Sequence, residues 1–484
     1  MIPSNDEKSL FLFRRDLRLE DNTGLISALN HGGRVIPCFI LDERLLDSTS
    51  IKSKNNNAIQ FMIESLKDLD QQLKQKNARL HLFFGRPYNI IREIIVKENI
   101  DSVHFNDDYT TFSKIRDDGI YNLCKKEDIK CFRYSDSLLI NDPRSIVKPF
   151  DGKPYTVFTH FFNKAVQVSV IKQKRNIYKN YFSSHSLSQE IKHRKKEDTY
   201  NQILETYNPN IYLQGGRSYC LKILKNIKKY QDYLHKKDFP AEEATTGLSA
   251  HIKFGTCSIR EVHCTIRESL GNDSPLLRQL YWRDFFTYIA HHFPYVFKRP
   301  FQLKYKKMKW NSDLKKFRQW CSGKTGFPIV DAGMRQLNLT GFMHNRVRLI
   351  VASFLTKDLH IDWKFGERYF AEKLVDYDPC VNNGNWQWAA STGCDAQPYF
   401  RIFNPWIQQK KFDPQCKYIK KFVPELANLP PELIHELYKN RRPLEQQLNY
   451  PLPIVSHKYE SRIAMHLYAS NSYHFFRSSN GQVR

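Results

Sequence analysis

Short apolar runs alternate with amphipathic stretches over the first quarter of the chain. SLFLF (9–13), RVIPCFI (34–40), ARLHLFF (78–84), SVHF (102–105) and KCFRY (130–134) read as strands. Between them, the segments near 22–30, 56–76, 88–98 and 113–126 space their apolar side chains at a helical period. Strands that alternate with helices need crossover connections, which predicts parallel strands in an open α/β sheet. After Asp136 the strand signals fade. Residues 136–205 carry the basic clusters KQKR (172–175) and KHRKK (192–196) and read as a long, partly irregular connector. From about residue 206 the period is helical almost to the end, as in YCLKILKNIKKYQDYL and RVRLIVASFLTKDL, and SSNGQVR closes the chain as a loose tail. The expected fold class is α/β: an N-terminal open parallel α/β sheet domain over 1–135, a connector over 136–205 and a C-terminal all-helical domain over 206–484. No internal repeat and no low-complexity tract interrupts this plan.

Composition changes the picture in two ways. The 484 residues are 41% hydrophobic, enough for two or three domains with real cores. The 75 Lys plus Arg against 50 Asp plus Glu give a formal charge of +25, which suggests a polyanionic partner, nucleic acid before a membrane surface. Lysine used only for solubility is the plainer alternative. Aromatics at 14% suit base stacking beside phosphate contacts, and equally an ordinary core. The ten cysteines form no CxxC and no zinc spacing, so they read as reduced thiols of a cytosolic compartment. MIPSNDEK carries no signal peptide, and the longest apolar runs, such as LIVASFL (349–355), are too short to span a bilayer. A cytoplasmic monomer without membrane attachment is the expectation.

Several motifs fail on inspection. SGKTG (322–326) imitates the end of a phosphate-binding loop, but Arg318 stands where the first glycine is required and no strand precedes it. No GxGxxG occurs, and His291 and His292 are adjacent rather than one helical turn apart, so neither a dinucleotide fingerprint nor a metal helix is supported. No metal is expected.

Three stretches together carry a resemblance: FRRDLRLEDNTGL (13–25), GFMHNRVRLIVASFLTKDL (341–359) and NNGNWQWAASTGCDAQPYFRIFNPW (382–406). They resemble the photolyase/cryptochrome family, most closely its class I DNA photolyases for cyclobutane pyrimidine dimers, and the likeness covers nearly the whole chain. It implies an N-terminal antenna domain, a helical domain holding FAD, and DNA containing pyrimidine dimers as the partner. It also implies light-driven repair by electron transfer from reduced FAD to a flipped-out lesion. A cryptochrome-type photoreceptor without repair, or a (6-4) photolyase, is the alternative.

The resemblance assigns roles residue by residue. Asn382 matches an amide beside the flavin ring, where an amide can donate or accept; read alone, NNGN invites a turn. Asp376, Tyr377 and Asp378 match a segment facing the flavin ring edge and sugar, with Arg348 pairing the first acid; read alone, the acids would cap a helix. Thr245, Thr246, Gly247, Leu248 and Ser249 match the loop that takes the FAD phosphates; read alone, they are a helix N-cap. Tyr233 and Asn345 match further cofactor contacts. Trp386, Trp363 and Trp310 fall where the family places its electron-hopping chain, although isolated tryptophans are most simply core anchors. Gln279, Trp282, Leu349 and Trp388 match the lesion pocket, and Arg346, Arg401 and Gln408 match its DNA side. The lysines of KRPFQLKYKKMK (298–309) could line the same positive face.

Some positions depart from the family pattern. Cyclobutane-dimer enzymes generally carry Glu at Gln279 and Met at Leu349. Gln also suits (6-4) photolyases, but these need a histidine pair where this chain has Asn345 and Leu349, so cyclobutane-dimer repair remains the expectation. Gly247 replaces a usual Arg, and GRP (85–87) replaces a usual Gly-Asp-Pro. In DDYTTFSKIRDD (107–118), Phe112 and Ser113 stand near a Glu that folate-binding members use. A second antenna chromophore is therefore open: a deazaflavin, another flavin or none.

Overall fold

The computed structural model describes residues 7–45, 54–140, 142–182, 187, 191, 200, 203–439 and 449–480. KHRKK (192–196) lies outside them, as do the last four residues. Two compact units divide the described chain. One lies within Met1–Pro209, Leu213–Gln231 and Thr246–His291, the other within Asn210–Tyr212, Asp232–Thr245 and His292–Arg484.

The first unit is built on five strands: β1 (Lys8–Phe13), β2 (Arg34–Leu41), β3 (His81–Phe84), β4 (Ser102–Asn106) and β5 (Lys130–Tyr134). Their order is β3-β2-β1-β4-β5 and every pairing is parallel, with Leu10 opposite Ile36 on one side and Val103 on the other. The connections are α1 (Thr23–Asn30), α2 (Asn56–Lys74), α3 (Pro87–Glu98) and α4 (Thr111–Lys126). This is the predicted open sheet. Its central strands read as continuous apolar runs because helices cover both faces. Leu10, Leu12, Ile36, Val103 and Phe105 meet Ile90, Ile91 and Ile94 of α3 and Ile120 and Leu123 of α4 in one core. Asn22, Asn55 and Thr110 cap α1, α2 and α4 with side-chain oxygens, and Pro87 opens α3.

The FRRDLRLEDN segment has a structural explanation within this unit. Arg18 and Arg260, 2% and 3% exposed, bracket Asp136 with contacts of 2.5 and 2.8 Å, and Arg260 also meets Asp21 at 3.0 Å. Two cations and two acids neutralise each other in the interior, which is the condition for burying them at all. Burial alone would raise the Asp136 carboxyl, but the two guanidiniums hold it well below the usual carboxylate range. Arg14 is committed in the same way to Asp117 and to the Asn106 carbonyl. In the expected connector, Phe158–Ala165 forms a helix and 166–180 has no regular element.

The second unit is helical. Its core gathers Trp320, Val330, Leu337, Val347, Val351, Phe354, Trp363, Phe370 and Trp386. The phosphate-loop look-alike is spent internally: Thr325 donates its N–H (2.7 Å) and hydroxyl (2.6 Å) to one Asp331 oxygen, and Gly326 N–H (3.0 Å) and Tyr450 hydroxyl (2.6 Å) reach the other. A long helix, His457–Asn480, closes the described chain, so Ser478–Asn480 of the expected tail are helical. Among the described residues no helix is long and apolar enough to cross a membrane.

Candidate functional site

The site in the second unit is organised by the Pro379–Ala389 helix. Pro379 pre-sets its first turn, and the Asp378 carboxylate accepts the N–H groups of Cys380 (3.0 Å) and Val381 (3.2 Å). Asp378 thus performs the capping duty that its sequence context invites, while only 7% exposed. NNGN is not a turn: it lies inside the helix. The four-residue spacing of Asp378, Asn382 and Trp386 stacks them on one flank. Asn383 and Gln387 occupy the next flank and both donate to the Val296 carbonyl, at 3.2 and 2.9 Å. The crowding of amides and indoles therefore resolves into two flanks, one spent on the Val296 carbonyl and the other carrying Asp378, Asn382 and Trp386.

The Asn382 amide has a fixed orientation. Its Nδ2 donates to the Glu367 backbone carbonyl and to Glu367 Oε1, both at 3.1 Å. A carbonyl accepts only, so the nitrogen must face Glu367 and Oδ1 must face away. Burial pushes the Glu367 carboxyl up from its usual value. Nearby, Arg348 holds Asp376 with contacts of 3.2 and 3.0 Å and donates Nε to the Met343 carbonyl at 2.8 Å. Asp376 is 5% exposed in its side chain, against 24% for Arg348. His344 caps the Asn345–Ser353 helix, its Nδ1 accepting the Arg346 N–H at 3.2 Å. That leaves the ring proton on Nε2, which is buried without a hydrogen-bond partner. Burial pulls this imidazole down to about 4, so it is neutral at neutral pH. Asn345 itself is exposed.

Trp386 and Trp363 are each 2% exposed in one core, and Trp310 packs at its edge. Trp386 packs against the rings of Phe370 (5.0 Å between centroids) and Trp320 (6.2 Å), and its Nε1 is buried without a partner. Trp310 meets Tyr468 edge-on at 6.4 Å. Leu349, Trp388 and Arg401 come together: with Ser353, Ala389 and Phe403 they line one shallow cleft that, as the side chains stand, has room for about one water. Arg346 is held elsewhere, paired to Asp238 at 2.8 Å and lying over the Phe412 ring at 4.4 Å. Gln408 sits on the Pro405–Phe412 helix with its Oε1 buried and unpartnered. Tyr233 begins a short helix, Tyr233–Lys236, and burial pushes its phenol up to about 12.

The remaining candidates belong to the first unit, apart from Thr245 and Tyr377, the latter partly buried against the second unit's core. Gly247 has φ 69°, a left-handed conformation that a Cβ would strain, so the departure from Arg fits the local backbone. Thr246 Oγ1 accepts the Leu248 N–H at 3.3 Å, and Ser249 lies exposed in the first turn of the Leu248–Phe254 helix. Gln279 is exposed on the Pro275–His292 helix, three residues before Trp282. Trp282 stacks on Phe158 at 3.6 Å with a 6° interplanar angle.

Three contributors were missed in the sequence. Phe158 is 124 positions from Trp282, a separation no local pattern reveals. Glu367 had a signal: it falls in the apolar stripe of Trp363, Gly366 and Phe370, where a solvated glutamate has no place. His344 had one too, since Asn345 opens a helix and the residue before it must cap. No group of three or more His, Cys, Asp or Glu among the described residues is arranged to hold a metal.

Comparison with known proteins gives concordant results. Residues 276–470 match the FAD binding domain of DNA photolyase, and residues 9–176 match DNA photolyase. A deoxyribodipyrimidine photo-lyase of Alkalihalophilus pseudofirmus is 34% identical over 480 residues, covering 96% of this chain and 98% of that protein. An archaeal photolyase of Sulfolobus tokodaii, solved with two FAD molecules, is similar at a TM-score of 0.85 and 40% identity, covering 96% of this chain and 100% of that one. A Synechocystis cryptochrome is similar at a TM-score of 0.86 and 28% identity, again covering 96% of this chain and 100% of that one.

Proposed function

This chain belongs to the DNA photolyase and cryptochrome family and carries its FAD-binding domain, and from that premise we propose that it repairs cyclobutane pyrimidine dimers in DNA under light. The observation that carries the reading is the oriented amide of Asn382, set in the same unit as the Arg348–Asp376 pair and the Trp388 cleft.

The residues fit the cofactor. Asn382 has an acceptor oxygen turned away from Glu367, and Asp376 is an acceptor held in place by a guanidinium. Trp386 and His344 each keep a buried N–H without a partner. When bound, reduced FAD supplies the electron that opens the dimer and takes it back afterwards. The chain's part is to hold and orient. Asn382 Oδ1 would accept from a ring N–H, and Asp376 would face a second ring donor. Asn345, Tyr233, Tyr377 and Asp378 keep the cofactor contacts that the resemblance gives them, and Thr245–Ser249 the phosphate contacts. Trp388 and Leu349 would meet the extruded lesion, for which unstacking costs only a few kcal/mol because a damaged pair is already weak. Arg401 would meet phosphate. On the first unit, Trp282 and Gln279 are the lesion contacts. Gln279 offers an amide donor in place of an acid. By likeness to the Sulfolobus protein, a second FAD is the antenna we infer.

Trp386, Trp363 and Trp310 would relay an electron inward from solvent when the cofactor needs reduction. Trp386→Phe keeps an aromatic anchor but removes the easily oxidised indole, so light-driven reduction of bound oxidised flavin should stop while flavin content and folding persist. Photoreduction at the wild-type rate, followed by flavin absorbance under illumination, would remove the relay from this reading.

The deciding experiment uses duplex oligonucleotides with one defined lesion. Under blue light the cyclobutane dimer should disappear and the (6-4) product remain. Repair of the (6-4) product alone would overturn the substrate. The similarity to a cryptochrome gives the second reading its support, and a flavin-loaded protein that repairs neither lesion would favour that signalling role.

A further inference from the structure

The cleft of Leu349, Trp388 and Arg401 contains a buried lysine that none of the assignments above uses. Lys357 lines that cleft at 1% exposure. It sits in a π-type turn, Phe354–Asp358, that widens the end of the apolar stretch LIVASFL, and wide turns of this kind recur at functional sites. Its ammonium donates to Ser391 Oγ at 2.8 Å and reaches the Arg401 carbonyl at 3.4 Å, with the Tyr468 ring 5.8 Å away. No carboxylate among the described residues forms a close ion pair with it; the neighbouring Asp358, whose Oδ1 is taken by His457, acts on it only through its field. Burial pulls the ammonium down to about 7, so near neutral pH amine and ammonium coexist, and both forms can donate to Ser391 and Arg401. A methionine would fill the same volume without burying a charge.

What the ammonium touches explains its presence. Ser391 is in the left-handed region at φ 59°, just beyond the helix cap Ala390, where helices commonly end in this conformation. It follows directly on the helix that carries Trp386 and Trp388, and its N–H bonds back to the Trp388 carbonyl at 3.1 Å. Arg401 lines the same cleft from a segment ten residues further along the chain. One ammonium therefore bridges the segment behind Trp388 and the backbone of Arg401.

We propose that Lys357 is a positioning residue of the lesion cleft, whose ammonium ties Ser391 to the Arg401 carbonyl and so fixes the stacking wall and the phosphate-facing wall relative to each other. This rests on the repair reading given above. The tie acts on the shape that receives the lesion, not on the cofactor, so its loss should fall on affinity rather than on the light-driven step.

The test uses Lys357→Met, Ser391→Ala and the double variant, all as flavin-loaded full-length protein, with a duplex carrying one cyclobutane dimer. Each single change should weaken binding of the damaged duplex about tenfold, with the repair rate at saturating DNA changed by less than about twofold. Binding of undamaged duplex should be unchanged. Because both changes cut the same tie, the double variant should be no weaker than the singles. Lesion affinity equal to wild type in both singles would overturn the proposal, as would additive losses in the double, or an equal loss on damaged and undamaged DNA. Should Lys357→Met fail to fold, Ser391→Ala alone carries the comparison. If wild-type protein neither binds nor repairs the dimer, the repair reading fails and this proposal falls with it, whereas wild-type repair with unaffected single variants overturns this proposal alone.

Discussion

Arg348→Ala protein is expected to purify without bound flavin and to unfold well below wild type. The reason is the position of its partner. Asp376 is 5% exposed and receives two contacts from the Arg348 guanidinium, which also donates to the Met343 carbonyl. Removing one member of a buried ion pair leaves the other desolvated and uncompensated, which costs about 3–5 kcal/mol. Arg348 is a quarter exposed, so the lower end applies: about 3 kcal/mol, or roughly 6–12 °C in Tm for a unit of this size. The same change releases the loop that presents Asp376 and Tyr377, so flavin is lost with it. Thermal unfolding and flavin absorbance of the purified variant measure both effects. A yellow protein with wild-type Tm would show that the pair neither braces the loop nor serves the cofactor.

Gly366→Ala should be nearly as damaging, although it adds one carbon. A Cβ at Gly366 would stand 2.1 Å from Trp386 Cη2, 2.6 Å from its Cζ3 and 2.6 Å from Leu355 Cδ2. Those distances are far inside van der Waals contact, in a core with no room to yield. Overpacking of this kind costs about 1–3 kcal/mol and moves the side chain that is struck. The indole would be forced out of place, so light-driven reduction of bound flavin should slow together with the fall in Tm. The double variant Gly366→Ala/Trp386→Phe separates the two effects. Phenylalanine lacks the second ring to which Cη2 and Cζ3 belong, so much of the lost stability should return while photoreduction stays off. A Gly366→Ala single variant with wild-type Tm and wild-type photoreduction would contradict the packing described.

The parallel sheet was legible because its evidence is local and redundant. Strands such as SLFLF are almost wholly apolar, and their helices carry caps such as Asn22 and Thr110. The site was legible only in part. Asp378, Asn382 and Trp386 announce a shared flank by their spacing. Nothing in the sequence says that Asn383 and Gln387, one position further on, are spent on the Val296 carbonyl. Glu367 and Lys357 are charged residues inside apolar stretches. Sequence reasoning discounts such residues as surface charges, and the structure shows both turned inward, one on Asn382 and one on Ser391. Arg346 failed in the opposite direction: its charge suggested availability, yet it is taken up by Asp238 and Phe412. Pairings made across a hundred or more positions, such as Trp282 with Phe158, leave no local trace at all.

The loop at Thr325 and Gly326 has one more implication. Its donors already grip a permanent stand-in, the Asp331 carboxylate, which covalent attachment keeps at an effective concentration that no dissolved anion can match. ATP or GTP would have to evict a tethered resident to dock there. The apparent fuel-binding signature is therefore a keystone that closes on itself, and at this loop the molecule should be indifferent to the energy charge of its surroundings.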